Sequence, residues 1–190
     1  MKLAFLSPCR PLQVLTLAAA MACGGCAKDD AGTSSFFVNF GPGEGIDYRT
    51  GNNQPVGSAD ATDWTLDDKW SATEQRLFAT LPLSLNAEPQ GLSQRNRISF
   101  GGYPNPAVNQ LNFFYTAPVA VSCRYVVVDN LFRVIFENST SAPATQTTFS
   151  LNLTKSARIK TGQRYRIYYV LYTGTTLYYK GHGDFKVVEP

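Results

Sequence analysis

From Arg164 to Tyr172 the chain alternates as an extended strand does. Tyr165, Ile167, Tyr169 and Leu171 share one face, and Arg164, Arg166 and Tyr168 share the other, because successive side chains of a strand point to opposite sides. Further strand-like runs fill the region beyond Gln90: 97–100, 110–115, 119–128, 131–137, 147–154, 176–179 and 184–188. Asp129-Asn130 separates two apolar runs as a two-residue hairpin turn would, since both residues tolerate positive φ. Thr173-Gly174-Thr175 reads as another turn. Short strands at such spacing predict a mainly β fold, a two-sheet sandwich. Composition agrees: 13% of residues are aromatic and 44% apolar, with Tyr, Val, Thr and Phe, all strand formers, concentrated toward the C-terminus.

The N-terminus has a different logic. Met1, Lys2 and Arg10 make a positively charged start, and Leu12 to Ala22 is apolar apart from Gln13 and Thr16. Such a run is too short for a membrane-spanning helix, which needs about 20 residues; with its flanks it reads as a secretory signal. The run ends at Ala20-Met21-Ala22-Cys23 and again at Gly24-Gly25-Cys26. Both resemble a bacterial lipobox, whose cysteine is acylated and becomes the first mature residue. Ala27-Lys28-Asp29-Asp30 is similar to the signal that follows the lipidated cysteine in surface-exported lipoproteins of Bacteroidota. The resemblance implies lipidation at Cys26, with Cys23 as the alternative, and an outer-membrane, surface-exposed location. Several acyl chains at roughly 0.8 kcal/mol per buried methylene would anchor the chain durably. Residues 1–25 are then the signal peptide and 26–35 a small, polar, flexible tether.

Charge divides the remainder. From Ala27 to Gln90 there are four basic and ten acidic residues; from Gly91 onward there are eleven basic and four acidic. The two halves are expected to pack together. A nucleic-acid partner is disfavoured, because an exported chain without a binding motif offers it nothing. Once Cys9 leaves with the signal and Cys26 is acylated, Cys123 is expected to be a buried, inert thiol within a strand.

Residues 36–90 are read as an N-terminal segment with one helix packed on the sandwich. Phe36 to Phe40 is a short apolar run that ends at Gly41-Pro42-Gly43-Glu44-Gly45. Without a following Gly-Lys-Ser/Thr these glycines make no phosphate loop. Leu66, Trp70, Leu77 and Leu81 recur near helical spacing. Thr65 with Asp68, and Ser71 with Glu74, both resemble capping pairs. The helix therefore runs from about 66 to 79, or restarts at Ser71, and Pro82 ends it. Trp64 and Trp70 are a candidate sugar-stacking platform. Asp60, Asp63, Asp67 and Asp68 lack the spacing of a calcium loop and read as a solvated helix start.

Tyr103-Pro104-Asn105-Pro106-Ala107, followed by Leu111-Asn112-Phe113, resembles the opening of the C-terminal sorting domains of type IX secretion cargo. Leu151-Asn152-Leu153, Gly162 with Tyr165, and the closing Gly183-Asp184-Phe185-Lys186-Val187 echo further motifs of that family. The resemblance implies an immunoglobulin- or fibronectin-like β-sandwich of about seven strands over residues 91–190.

Parts for catalysis are few. His182 is the single histidine, within Lys180-Gly181-His182-Gly183-Asp184, and could pair with Asp184 and a serine, but no nucleophile elbow is present; the glycines make it read as a hairpin tip. No metal-ligand pattern or cofactor motif appears. Arg158, Lys160, Arg164 and Arg166 cluster around the Thr161-Gly162 turn. They form either an electrostatic binding patch or a face that complements the acidic half. The expected function is a non-catalytic, lipid-anchored envelope module for structure, adhesion or accessory contacts. Its partner would be the membrane through the anchor, with another envelope protein or a glycan; the alternatives are a surface glycan-binding module, or a type IX substrate whose C-terminal domain is a sorting signal.

Overall fold

The computed structural model describes residues 37–41 and 45–190, so Cys23, Cys26 and Glu44 lie outside the described residues. Seven antiparallel strands form one curled sheet: β1 Thr65–Leu66, β2 Ser99–Tyr103, β3 Gln110–Val128, β4 Val134–Ser139, β5 Ala144–Asn152, β6 Arg164–Thr173 and β7 Thr176–Lys186. One α-helix, α1 Ala72–Arg76, and two short 3₁₀ segments complete it.

β3 organises the sheet. Its first half, from Gln110 to Thr116, lies between β2 and β5, and its second half, from Ser122 to Val128, between β4 and β6. Where two separate strands are expected, one continuous strand of 19 residues changes neighbours. The exchange falls at Pro118, whose missing N–H cannot join a ladder. The register against β5 shifts there, between Thr116 and Val121, as an irregularity that bends a strand requires. β1, β7 and β6 continue outward beyond the second half.

The inward residues of both halves meet in one core. Leu111, Phe113 and Tyr115 come from the first half and Cys123, Tyr125 and Val127 from the second, with Tyr165, Ile167, Tyr169 and Leu171 of β6. The Phe113 ring lies 5.6 Å from that of Tyr169 and 5.3 Å from that of Tyr125. Cys123 is a free, fully buried thiol on β3, and burial pushes its pKa up. The opposite face of β6 is covered as well. Tyr168 and Val170 pack with Val126, Val128 and Leu177 against Trp70, Phe78, Leu85 and Val38 of the N-terminal segment. The face assignment of β6 therefore holds, with both faces under cover.

Around the helix the second reading is realised. Ser71 caps α1: its hydroxyl accepts from the Glu74 N–H at 3.3 Å, and the Glu74 carboxylate accepts from the Ser71 N–H at 2.7 Å. Thr65 is no cap; it joins β1, which pairs with Gly181 and His182 of β7. The hairpin after β3 is also longer than expected. Asp129 accepts from the N–H groups of Leu131 and Arg133, and Phe132 takes the positive φ of 56°, so the chain turns over five residues before Val134 pairs with Val128.

Lys180 to Asp184 is not a hairpin tip but the middle of β7. The glycines serve close approach instead. A methyl at Gly181 would overlap the Thr65 carbonyl, and one at Gly183 would fall within the Trp64 ring. Gly183→Ala should therefore cost about 3 kcal/mol or more, the upper range for overpacking a core. Urea unfolding measures this, and Gly174→Ala at the exposed β6–β7 turn should cost less.

Candidate functional site

The polar groups of the molecule gather along the outer edge and one face of β7. Asp184 is buried and forms a two-pronged ion pair with Arg166 of β6, both N···O distances being 2.7 Å. A third Arg166 hydrogen bond, from the same Nη2 that binds Asp184, reaches the Asn39 carbonyl at 2.8 Å. Burial alone would lower the Arg166 pKa, but the hydrogen bonds and charge of Asp184 outweigh it and raise the pKa. The Asp184 N–H donates to Asp63 at 2.6 Å, and the other Asp63 oxygen accepts from the Asp47 N–H at 2.9 Å. Burial, with the nearby Asp184 charge, pushes the Asp63 carboxyl up to about 8.

Asn105 closes this network. Its side-chain amide donates to the carbonyls of Asp47 at 2.9 Å and Asp184 at 3.0 Å, and its oxygen accepts from the Lys186 N–H at 3.2 Å. Its backbone pairs with Arg49 in both directions. Both prolyl bonds of Tyr103-Pro104-Asn105-Pro106 are cis. The motif singled out in the sequence thus surrounds the residue that ties segment 46–63 to β7.

Further along the same face, the Lys180 ammonium donates to the carbonyls of Asp67 at 2.8 Å and Asp68 at 2.6 Å and lies 5.1 Å from the centre of the Trp70 ring. Burial lowers its pKa. His182 pairs through Nδ1 with Asp67 at 2.8 Å and not with Asp184, because Arg166 already occupies both Asp184 oxygens. Asp67 also accepts from the Trp70 indole N–H at 2.6 Å. The four acids read as a solvated cluster are in fact separated. Asp60 caps its own turn through Thr62, Asp63 is buried, and Asp67 holds His182 and Trp70. Among the described residues, no group of three or more His, Cys, Asp or Glu could hold a metal ion.

The tryptophan platform is corrected. Trp70 is 3% and Trp64 9% exposed, and a stacking platform needs a free ring face. Trp64 packs against both Phe113 and Tyr169, with ring centres at 5.9 and 6.3 Å; Trp70 packs on Phe78 and Tyr168.

The basic cluster is corrected in one member and extended by another. Arg166 is buried in its ion pair and faces no ligand. Arg158, Lys160 and Arg164 do converge, and Arg133 of the β3–β4 loop joins them around a pocket of about 160 Å³. Arg133 was not legible as a member, because only folding brings its loop beside residues 158–164. It binds the buried Asp129 at 2.6 Å, and Arg158 donates to the Val134 carbonyl at 3.0 Å. Arg164 stacks over Phe40 at 4.8 Å.

The attraction expected between the acidic and basic halves is realised chiefly by neutral contacts. Arg124, Arg133 and Arg166 pair with acids of their own half. What crosses between the halves is apolar packing, carbonyls on Lys180, and the Asp63, Asp67 and Asn105 side chains. No protein-family model, curated protein or solved structure matches the chain. No helix among the described residues is long and apolar enough to cross a membrane.

A pH dependence follows from Asp63. Its ordinary pKa of 3.8 is raised to about 8 in the fold, so between those values the folded state holds a proton that the unfolded state has released. The contribution is complete below about pH 4 and lost as pH rises through about 8, with a limiting slope of about 1.4 kcal/mol per pH unit. Urea unfolding from pH 5 to 8 should show this fall, and Asp63→Asn should flatten it.

Proposed function

We propose that the protein is a lipid-anchored component of the cell envelope, exposed at the outer membrane, whose β domain is a non-catalytic interaction module. The anchor reading is supported by residues 12–30, with Cys26 as the acylated residue. The β domain is read as an immunoglobulin-like sandwich, a reading favoured by the two halves of β3 contributing to one core. The absence of catalysis is a reading of how the reactive groups are used. Asp63, Asp67, Lys180, His182 and Asp184 are each engaged in hydrogen bonds that join the N-terminal segment to β7.

The observation that carries the reading is the pocket of about 160 Å³ ringed by Arg133, Arg158, Lys160 and Arg164. Three cations from residues 158–164 and one from the β3–β4 loop favour an anionic group of a partner, an acidic glycan or the acidic surface of another envelope protein. A second reading, type IX cargo, rests on the Tyr103-Pro104-Asn105-Pro106 resemblance and expects removal of the domain near residues 91–102.

Intact-mass analysis of membrane-extracted protein tests the anchor and separates the two readings. A chain that begins at acylated Cys26, ends at Pro190 and is shaved by protease on whole cells supports the module. An unacylated chain, or one lacking residues beyond about 91–102, contradicts it. For the pocket, Arg158→Ala with Lys160→Ala should elute from an acidic-polysaccharide column at lower salt than the parent chain. Arg124→Ala, whose cation is outside the pocket, should not shift.

A further inference from the structure

One sheet face remains unexplained by the basic pocket and by the buried network. On β3, Asn112, Phe114 and Thr116 point away from the core, while Leu111, Phe113 and Tyr115 point into it. Their register partners are Tyr103, Gly101 and Ser99 on β2, and Ser150, Thr148 and Gln146 on β5. The three rows therefore consist of hydroxyls, amides, one glycine and two aromatic rings, with no acid or basic side chain; the one cation against them is Arg49 of the 46–63 segment, whose Nε lies 3.5 Å from where a Gly101 methyl would stand and whose guanidinium donates to Asn53 at 2.8 Å.

A merely solvated face is built differently. Exposed protein surface commonly carries charge at about a quarter to a third of its positions, and edge strands are usually guarded by lysine or proline. Here β2 and β5 are both edges, each pairing only with β3, and neither places a charge on this face. Instead a groove of about 340 Å³ runs over it. Phe114 and Tyr103, both half-buried, meet edge to face at 5.9 Å and 61° on its floor. Gly101 makes this possible: a methyl there would stand 2.6 Å from the Phe114 ring, so the absent side chain lets the ring lean across β2. Asn53, Gln146 and Thr148 complete the walls.

We infer that this groove binds an uncharged polysaccharide. The axial C–H face of a pyranose would lie on the Phe114 ring with the inclined Tyr103 ring beside it, a contact that gains from burying apolar area without demanding a charge. Amides supply both a donor and an acceptor, and hydroxyls supply either, which suits the adjacent hydroxyl pairs of a sugar. The groove has the form of a ligand site, apolar at the floor with a few polar groups at the walls. Its ligand chemistry differs from that of the basic pocket, which would take an anion. The inference rests on the reading of the domain as an interaction module. Its failure would be separable from failure of the anchor, because mass and shaving read the N-terminus and sugar binding does not.

The test is native affinity electrophoresis of the full-length chain in detergent, through gels containing mixed-linkage β-glucan, glucomannan, soluble starch or polygalacturonate. At least one of the three neutral polymers should retard the protein, and added salt should not release it. Phe114→Ala should weaken the retardation about tenfold, equivalent to about 1.4 kcal/mol. Gln146→Ala with Thr148→Ala, two exposed positions that threaten the fold least, should weaken it severalfold. Arg158→Ala with Lys160→Ala should leave it unchanged. Retardation by none of the neutral polymers, or by polygalacturonate alone, would overturn the inference. So would neutral-polymer binding that survives the Gln146 and Thr148 double substitution.

Discussion

Asp184 uses every polar atom it has, and the joining of sheet and N-terminal segment depends on it. Its carboxylate grips Arg166 on β6, its N–H donates to Asp63, and its carbonyl accepts from Asn105. The outer edge of β7 would otherwise present unpaired backbone groups, a liability for any sheet. β1 covers that edge only at Gly181 and His182. Beyond it, the Asp63 carboxylate and the Asn105 amide take the place of a neighbouring strand, and the backbone of Ala107 then pairs with Lys186 and Val188. Side chains from two distant loops thereby meet the requirement that buried backbone groups find partners.

This arrangement explains why so many ionisable groups are buried. Isolated buried charge is costly, and a buried ion pair is a weak source of net stability even when its geometry is good. Its value here is positional. Arg166 and Asp184 fix β6 against β7 while reaching Asn39, and Lys180 holds the carbonyls before Trp70. Trp70 can then seal the second face of β6 with Phe78 and Leu85. The surfaces proposed for binding lie elsewhere, around the basic pocket and over the outer face of β2, β3 and β5.

Much of the β architecture is legible in the sequence because strand alternation is a local signal. The two faces of β6 and the position of the β6–β7 turn follow from it. Ser71 and Glu74, three residues apart, likewise carry the helix start within themselves. What escapes is whatever depends on a partner far along the chain. Residues 110–115 and 119–128 read as two strands, yet β3 continues through Pro118 because different neighbours pair on either side of it. Gly181 and Gly183 read as a turn because nothing nearby reveals that Thr65 and the Trp64 ring will lie against them. Trp64, Trp70 and Arg166 are residue types common at binding surfaces, and only the folded packing shows them consumed inside. Arg133 and Phe114 pass unnoticed for the converse reason, since their companions come from other strands.

Asn105 and Asp63 thus stand in for a strand along β7. Amide hydrogen exchange on the parent chain and Asn105→Ala tests this directly. The substitution should speed exchange at Asp47, Asp184 and Lys186, where Asn105 or the segment it holds supplies the protection, with the β3–β6 ladder from Ser122 to Val128 unchanged. Uniform loss of protection across the sheet, or none at those three amides, would contradict it.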